Sequence, residues 1–137
     1  MKTIQTAPLF RFDPDWEKHR NTFDDYINHN IQPDFYGRDA TLSHPHISHI
    51  HLAQTQALAN QWSRKARIDQ IYYRTTKSND PENDYWLIYA YDDFNDSYLL
   101  LTIIGPNAHG AQWRSYLSTI YVSIVEPWIN GRLADVI

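Results

Sequence analysis

The spacing of apolar residues divides the chain into short segments with two different periods. Residues 3–12 alternate weakly and contain Leu9-Phe10-Arg11-Phe12, which predicts a first strand. Asp13-Pro14-Asp15-Trp16-Glu17 then has the form of a helix start. Asp13 suits the N-cap, Pro14 the first helical position, and the acids lie where the unpaired N–H groups of a first turn attract negative charge. Trp16, Phe23, Tyr26 and Ile27 follow at helical spacing, so this helix is predicted to run to about Asn30. Pro33 and Gly37 punctuate residues 32–39 as a break. Between Ile47 and Ala53, Ile and His alternate with the period of a strand. Ala57, Leu58, Trp62 and Ala66 suit a short helix within 54–69, Ile71-Tyr72-Tyr73-Arg74-Thr75-Thr76 reads as another strand, and the polar run 77–84 reads as a turn. Residues 85–91 and 97–104 carry the strongest strand pattern, with 92–96 as the hairpin loop between them. Beyond Gly105-Pro106, residue 110 to about 130 is helical in pattern, and Pro127 is expected to kink or end that helix. The order predicts one α+β domain over 1–137: an antiparallel sheet of about four strands packed with an N-terminal and a C-terminal helix.

Composition narrows the class. A chain of 137 residues with 42% hydrophobic content is long enough and apolar enough to bury a core. Its longest apolar run, Tyr98-Leu99-Leu100-Leu101-Thr102-Ile103-Ile104, is far short of the roughly 20 residues of a membrane helix. The first residues, MKTIQTAPLFRF, lack the apolar core of a secretory signal. Without cysteine there are no disulfides and no thiolate ligands, so the expectation is a soluble cytoplasmic protein. A net charge of −4 argues against a surface that grips nucleic acid everywhere. That charge is uneven, however. Residues 40–79 hold five basic side chains (Arg64, Lys65, Arg67, Arg74, Lys77) against Asp69 alone, a net +4, whereas the remainder has seven against fifteen, a net −8. The basic segment can meet phosphate; the acidic remainder reads as solvated surface.

The segment SHPHISHIHL, residues 43–52, places four of the seven histidines within eight positions. His44 and His46 flank Pro45 and read as exposed loop residues. His49 and His51 lie two apart on a strand and therefore project from one face. An imidazole titrates near neutrality and suits proton transfer, whereas a guanidinium binds phosphate through its planar fork. A site of two or three histidines with one or two arginines is chemically sufficient for acid–base chemistry at a phosphate without a metal. The alternative readings are a His-x-His metal site completed by His44, His46 or His109, and structural histidines bonded to sheet carbonyls. Arg38 and Asp39 read as an internal ion pair fixing the loop after Gly37. Tyr72, Tyr73, Tyr85 and Tyr89 read as sheet-face residues, any one of which can stack on an unpaired base.

The string Pro33-Asp34-Phe35-Tyr36-Gly37-Arg38-Asp39-Ala40, followed by His49-Ile50-His51-Leu52-Ala53, resembles the paired PD-x-[FY]-GRDA and HIHLA elements of the YafO family, toxins of type II toxin–antitoxin systems. The resemblance is strongest over 31–109 and continues through Arg74-Thr75-Thr76, Leu87-Ile88-Tyr89, Leu99-Leu100-Leu101 and Gly105-Pro106-Asn107-Ala108-His109, the last matching a P-x-x-H turn. It departs in two places: a compact Arg-Thr-x-Asp turn is stretched to residues 74–80, and the segment around Pro127 shows little match. The resemblance implies a fold like the wider RelE/ParE group and a cytoplasmic, ribosome-dependent mRNA endonuclease that inhibits translation. The expected partners are a cognate antitoxin, the ribosome and mRNA, with no membrane, no DNA except through the antitoxin complex, and no cofactor or metal. The catalytic set expected here is His49, His51, Arg74 and His109, with Arg38, Arg64, Lys65, Arg67 and Lys77 contacting RNA phosphate. The rival expectation is a RelE-like module that binds antitoxin or ribosome without cleaving RNA.

Overall fold

The computed structural model describes residues 1–65, 68–76 and 80–137. Its strands are β1 Thr3–Thr6, β2 Tyr36–Thr41, β3 Ile47–Leu52, β4 Tyr85–Asp92 and β5 Ser97–Ile104. The helices are α1 Trp16–Asn28, α2 Gln56–Lys65, α3 Trp113–Ile120 and a short α4 Glu126–Ile129. The five strands form one sheet in the order β1-β5-β4-β3-β2. β2, β3, β4 and β5 run antiparallel to their neighbours, as two hairpins docked side by side, and β1 joins the outside of β5 in parallel. The sheet is therefore mixed, with one more strand than expected and a parallel edge.

Side chains alternate across the strands, so each strand feeds two apolar layers. Ile4, Ile50, Leu52, Leu87, Tyr89 and Leu100 pack beneath α1, which contributes Trp16, Phe23, Tyr26 and Ile27. Ile47, Trp86, Ile88, Ala90, Leu99 and Leu101 face the other way and meet Leu117, Ile120 and Val125 from the C-terminal helical segment. Covering both faces explains why Leu99, Leu100 and Leu101 are consecutive and all fully buried.

Several boundaries differ from the sequence pattern, each for a physical reason. The strand expected over 3–12 ends at Thr6: Ala7 N–H donates to Leu100 O, Pro8 has no N–H to continue the ladder, and a 3-10 turn, Phe10–Phe12, follows. The helix after it begins at Trp16, and Asp13 accepts from the Asp15 N–H rather than capping the helix itself. Residues 32–39, expected as a break, enter strand β2, whose pairing with β3 shifts register between Tyr36 and Asp39. Gly37 serves close approach here: a Cβ would lie 2.0 Å from Arg74 O. The strand expected over 71–76 is instead a 3-10 turn, Ile68–Tyr73, followed by extended chain tied to β2 by Arg38 N–H donating to Arg74 O at 3.0 Å. The C-terminal helix is interrupted by a π turn, Tyr121–Val125, before Pro127. This wider turn precedes the proline whose ring would otherwise press on the Ser123 carbonyl, and Pro127 falls in the first turn of α4, where its missing N–H is tolerated.

Candidate functional site

The C-terminal helical segment covers only part of its face of the sheet. At the other end of that face, strand alternation puts Trp86 and Ile88 in one row and Ile47, His49 and His51 in the next, with His51 opposite Trp86 and His49 opposite Ile88, and Asp84 lies just before β4. The rings gather closely. His49 and His51 have centroids 5.2 Å apart, Trp86 lies 4.2 Å from His49 and 5.5 Å from His51, and His109 lies 5.7 Å from His51 and 4.7 Å from Trp86.

His109 reaches this group because the chain after β5 folds back on the start of β4. Gly105, at φ 146°, presses on the Tyr85 ring, where a Cβ would come within 2.3 Å. Asn107 N–H then donates to Pro81 O and Ala108 N–H to Asp84 O. The Asp84 Oδ2 atom accepts the His109 backbone N–H at 2.9 Å and meets its Nδ1 at 2.5 Å. Asp84 is buried, whereas the His109 side chain is 45% exposed. A carboxylate on Nδ1 sets the ring's orientation and makes Nε2 the atom that exchanges a proton.

The two strand histidines differ from His109. His49 is 8% and His51 3% exposed. Burial pushes the His49 imidazole down to about 4, helped by Arg38 and His109 and opposed by the Ala40 backbone and Asp84. Burial likewise lowers His51 to about 3, with His49, His109 and Arg38 adding to the effect. Both rings are therefore neutral at physiological pH. Among the described residues, six buried side-chain polar atoms have no hydrogen-bond partner. Five belong to this region: His49 Nδ1, His51 Nδ1, Trp86 Nε1, Asp84 Oδ1 and Arg38 Nε. Buried polar groups are normally paired, so this concentration marks a place built for something other than packing.

The arginines rearrange the expected picture. Arg38 and Asp39 do not form the anticipated ion pair, because adjacent strand residues point to opposite faces. Asp39 turns towards α1, where its carboxylate accepts the Tyr26 hydroxyl at 2.8 Å and the Tyr89 hydroxyl at 2.6 Å. Arg38 faces the histidine side and lays its guanidinium over the Tyr72 ring, 4.2 Å from the centroid. Arg74 is buried beside β2, meets it through the backbone, and does not project from a neighbouring strand. Arg64 is exposed on α2. Lys65 ends that helix, and Arg67 and Lys77 lie outside the described residues.

His44 and His46 are held elsewhere. His44 Nε2 lies 3.1 Å from Ser118 Oγ and His46 Nδ1 3.2 Å from Tyr91 O, so they dock the β2–β3 turn onto the C-terminal helix and β4. Among the described residues, the ligand atoms of three acidic or histidine side chains gather within 4.8 Å only at Asp24, Asp25 and His29, at the C-terminal end of α1. Sequence reasoning missed Asp84 and Trp86. Their signal was faint: Trp86 lies on β4 opposite His51, and Asp84 is the residue just before that strand.

A model of the family described as toxin YafO, type II toxin–antitoxin system, matches residues 24–130. No curated protein and no solved structure matches the chain. Among the described residues, no helix is long and apolar enough to cross a membrane.

Proposed function

The chain belongs to the YafO toxin family of type II toxin–antitoxin systems, a membership that implies a cognate antitoxin, and from that premise we propose that it is a cytoplasmic, ribosome-dependent mRNA endonuclease that inhibits translation without a metal. One observation carries the chemistry: His49, His51 and His109 converge beside Arg38, with Asp84 behind His109. His109 is the exposed member, and its Nε2 hands a proton to the departing 5′ oxygen. The neutral His51 accepts the ribose 2′-OH proton as the 2′ oxygen attacks phosphorus. The P–O5′ bond breaks and a 2′,3′-cyclic phosphate remains. Arg38 holds the negative charge that builds on the phosphorus oxygens. His49 keeps a second neutral imidazole beside His51, and Arg74 anchors the chain that positions Arg38. Arg64, with Lys65, Arg67 and Lys77, supplies the basic segment for the RNA backbone. Induction without antitoxin is expected to arrest growth and to leave translated mRNAs cut; unchanged transcript ends would overturn the nuclease assignment.

One observation favours the rival, a module that binds antitoxin or ribosome without cleaving RNA: His51 is 3% exposed, so little of its ring is open to a ribose. Toxicity with intact transcripts would select that reading.

A further inference from the structure

Tyr72 and Tyr73 end the 3-10 turn Ile68–Tyr73 as consecutive aromatic residues that are 58% and 67% exposed. Their rings are perpendicular, 90° apart with centroids 5.6 Å from each other. Two orthogonal faces at one point offer a flat partner a stacking surface from either direction. The Arg38 guanidinium covers one face of Tyr72 and leaves more than half of that residue in solvent. The turn is held against β2 because Gly37 has no side chain to keep the Arg74 carbonyl away and because Arg38 N–H bonds that carbonyl at 3.0 Å. The tyrosine pair thus has a fixed relation to a guanidinium whose charge reaches both His49 and His51.

We propose that Tyr72 and Tyr73 form a stacking platform for an unpaired base of single-stranded RNA, with Arg38 joining that platform to the phosphate held at the histidine cluster. This rests on the nuclease reading above and names the subsite that holds the nucleotide beside the cleaved bond. A nucleic acid fits better than a protein side chain because the platform lies within the basic segment, where Arg64, Lys65, Arg67, Arg74 and Lys77 face a single acid in sequence. A stacked base and a bound phosphate together match the arrangement of ring and guanidinium, whereas sequence-tolerant stacking needs no base-edge donor.

The test measures binding of a hexanucleotide of oligoadenylate to the full His109→Ala chain, which does not consume the probe, against the same oligomer with central bases removed. Loss of the bases is expected to weaken binding about tenfold, since each stacked base contributes substantially to affinity. Tyr72→Ala/Tyr73→Ala should abolish that difference and Tyr72→Phe/Tyr73→Phe should retain it. Both tyrosines are exposed, so near-ultraviolet circular dichroism should show all variants folded. Equal binding of base and abasic oligomers, no binding of either, or loss of antitoxin binding with RNA binding unmoved would each overturn the platform. Base-dependent binding by a chain that never cuts translated mRNA would overturn the nuclease reading and leave the platform standing.

Discussion

Two polar clusters occupy opposite faces of the same strands, and they are built on opposite principles. Under α1, Asp39 is exposed to solvent yet bonded to Tyr26 and Tyr89, and both its carboxylate oxygens accept hydroxyl hydrogen bonds. Desolvation by the surrounding protein raises the Asp39 carboxyl while those two bonds pull it back, and burial raises both phenols. That is a closed network, placed to hold α1 on the sheet. On the other face, five polar atoms of Arg38, His49, His51, Asp84 and Trp86 lack partners, against Tyr36 OH alone on the α1 side among the described residues. A folded chain keeps unpaired buried groups at a cost of roughly 1–3 kcal/mol each. Stability and chemistry are separated by face, and neighbouring residues Arg38 and Asp39 feed one cluster each.

The separation can be broken from either side. The largest effect is expected for Asp39→Ala, which strands the buried Tyr89 hydroxyl and releases the half-buried Tyr26 hydroxyl, and should cost about 2–3 kcal/mol in a urea titration. Cleavage per folded molecule should hold, and a matching fall in rate would merge the two clusters. Acid is the next probe. His49 and His51 have folded pKa values lowered to about 4 and about 3, so the unfolded chain binds more protons below its own value of 6.5. Their stabilisation is complete above pH 6.5 and is lost as pH falls through 4 and then 3, each ring contributing a slope of at most about 1.4 kcal/mol per pH unit. His19, also lowered by burial, acts in the same direction, whereas Asp39 opposes it at the acid end. His51→Leu should flatten the dependence of the urea midpoint on pH; an unaltered slope would place the titration elsewhere. Asp84→Asn should leave the fold in place and slow cleavage about tenfold to a hundredfold, with a displaced pH–rate profile, because Asp84 positions His109. A rate change without that displacement would mean the aspartate only packs. Tyr26→Phe removes one of two bonds to Asp39 and should cost about 1 kcal/mol with no kinetic effect.

Much of the sheet was legible because β3, β4 and β5 alternate or run apolar in ways that only strands do. β2 was hidden, since Gly37 and the charged pair after it look like a turn, and only the approach of Arg74 explains the glycine. The run 71–76 failed for the opposite reason: its aromatic residues look like a strand, yet Tyr72 and Tyr73 are exposed and bonded to no ladder. The pairing of His49 with His51 could be read from spacing, and the approach of His109 followed the turn at Gly105-Pro106. Asp84 could not be found this way, because its role depends on a loop that returns 25 residues later. Arg38 was visible, but its expected ion pair with Asp39 does not form because the two side chains leave β2 on opposite faces.

The separation is tested most directly by cleavage rates in a translating extract for His109→Gln and Tyr26→Phe, each corrected for folded protein. The prediction is a fall on the order of a hundredfold or more for His109→Gln, the usual scale for losing a general acid, and a change within about twofold for Tyr26→Phe. Equal losses in the two variants, or full activity in His109→Gln, would contradict it.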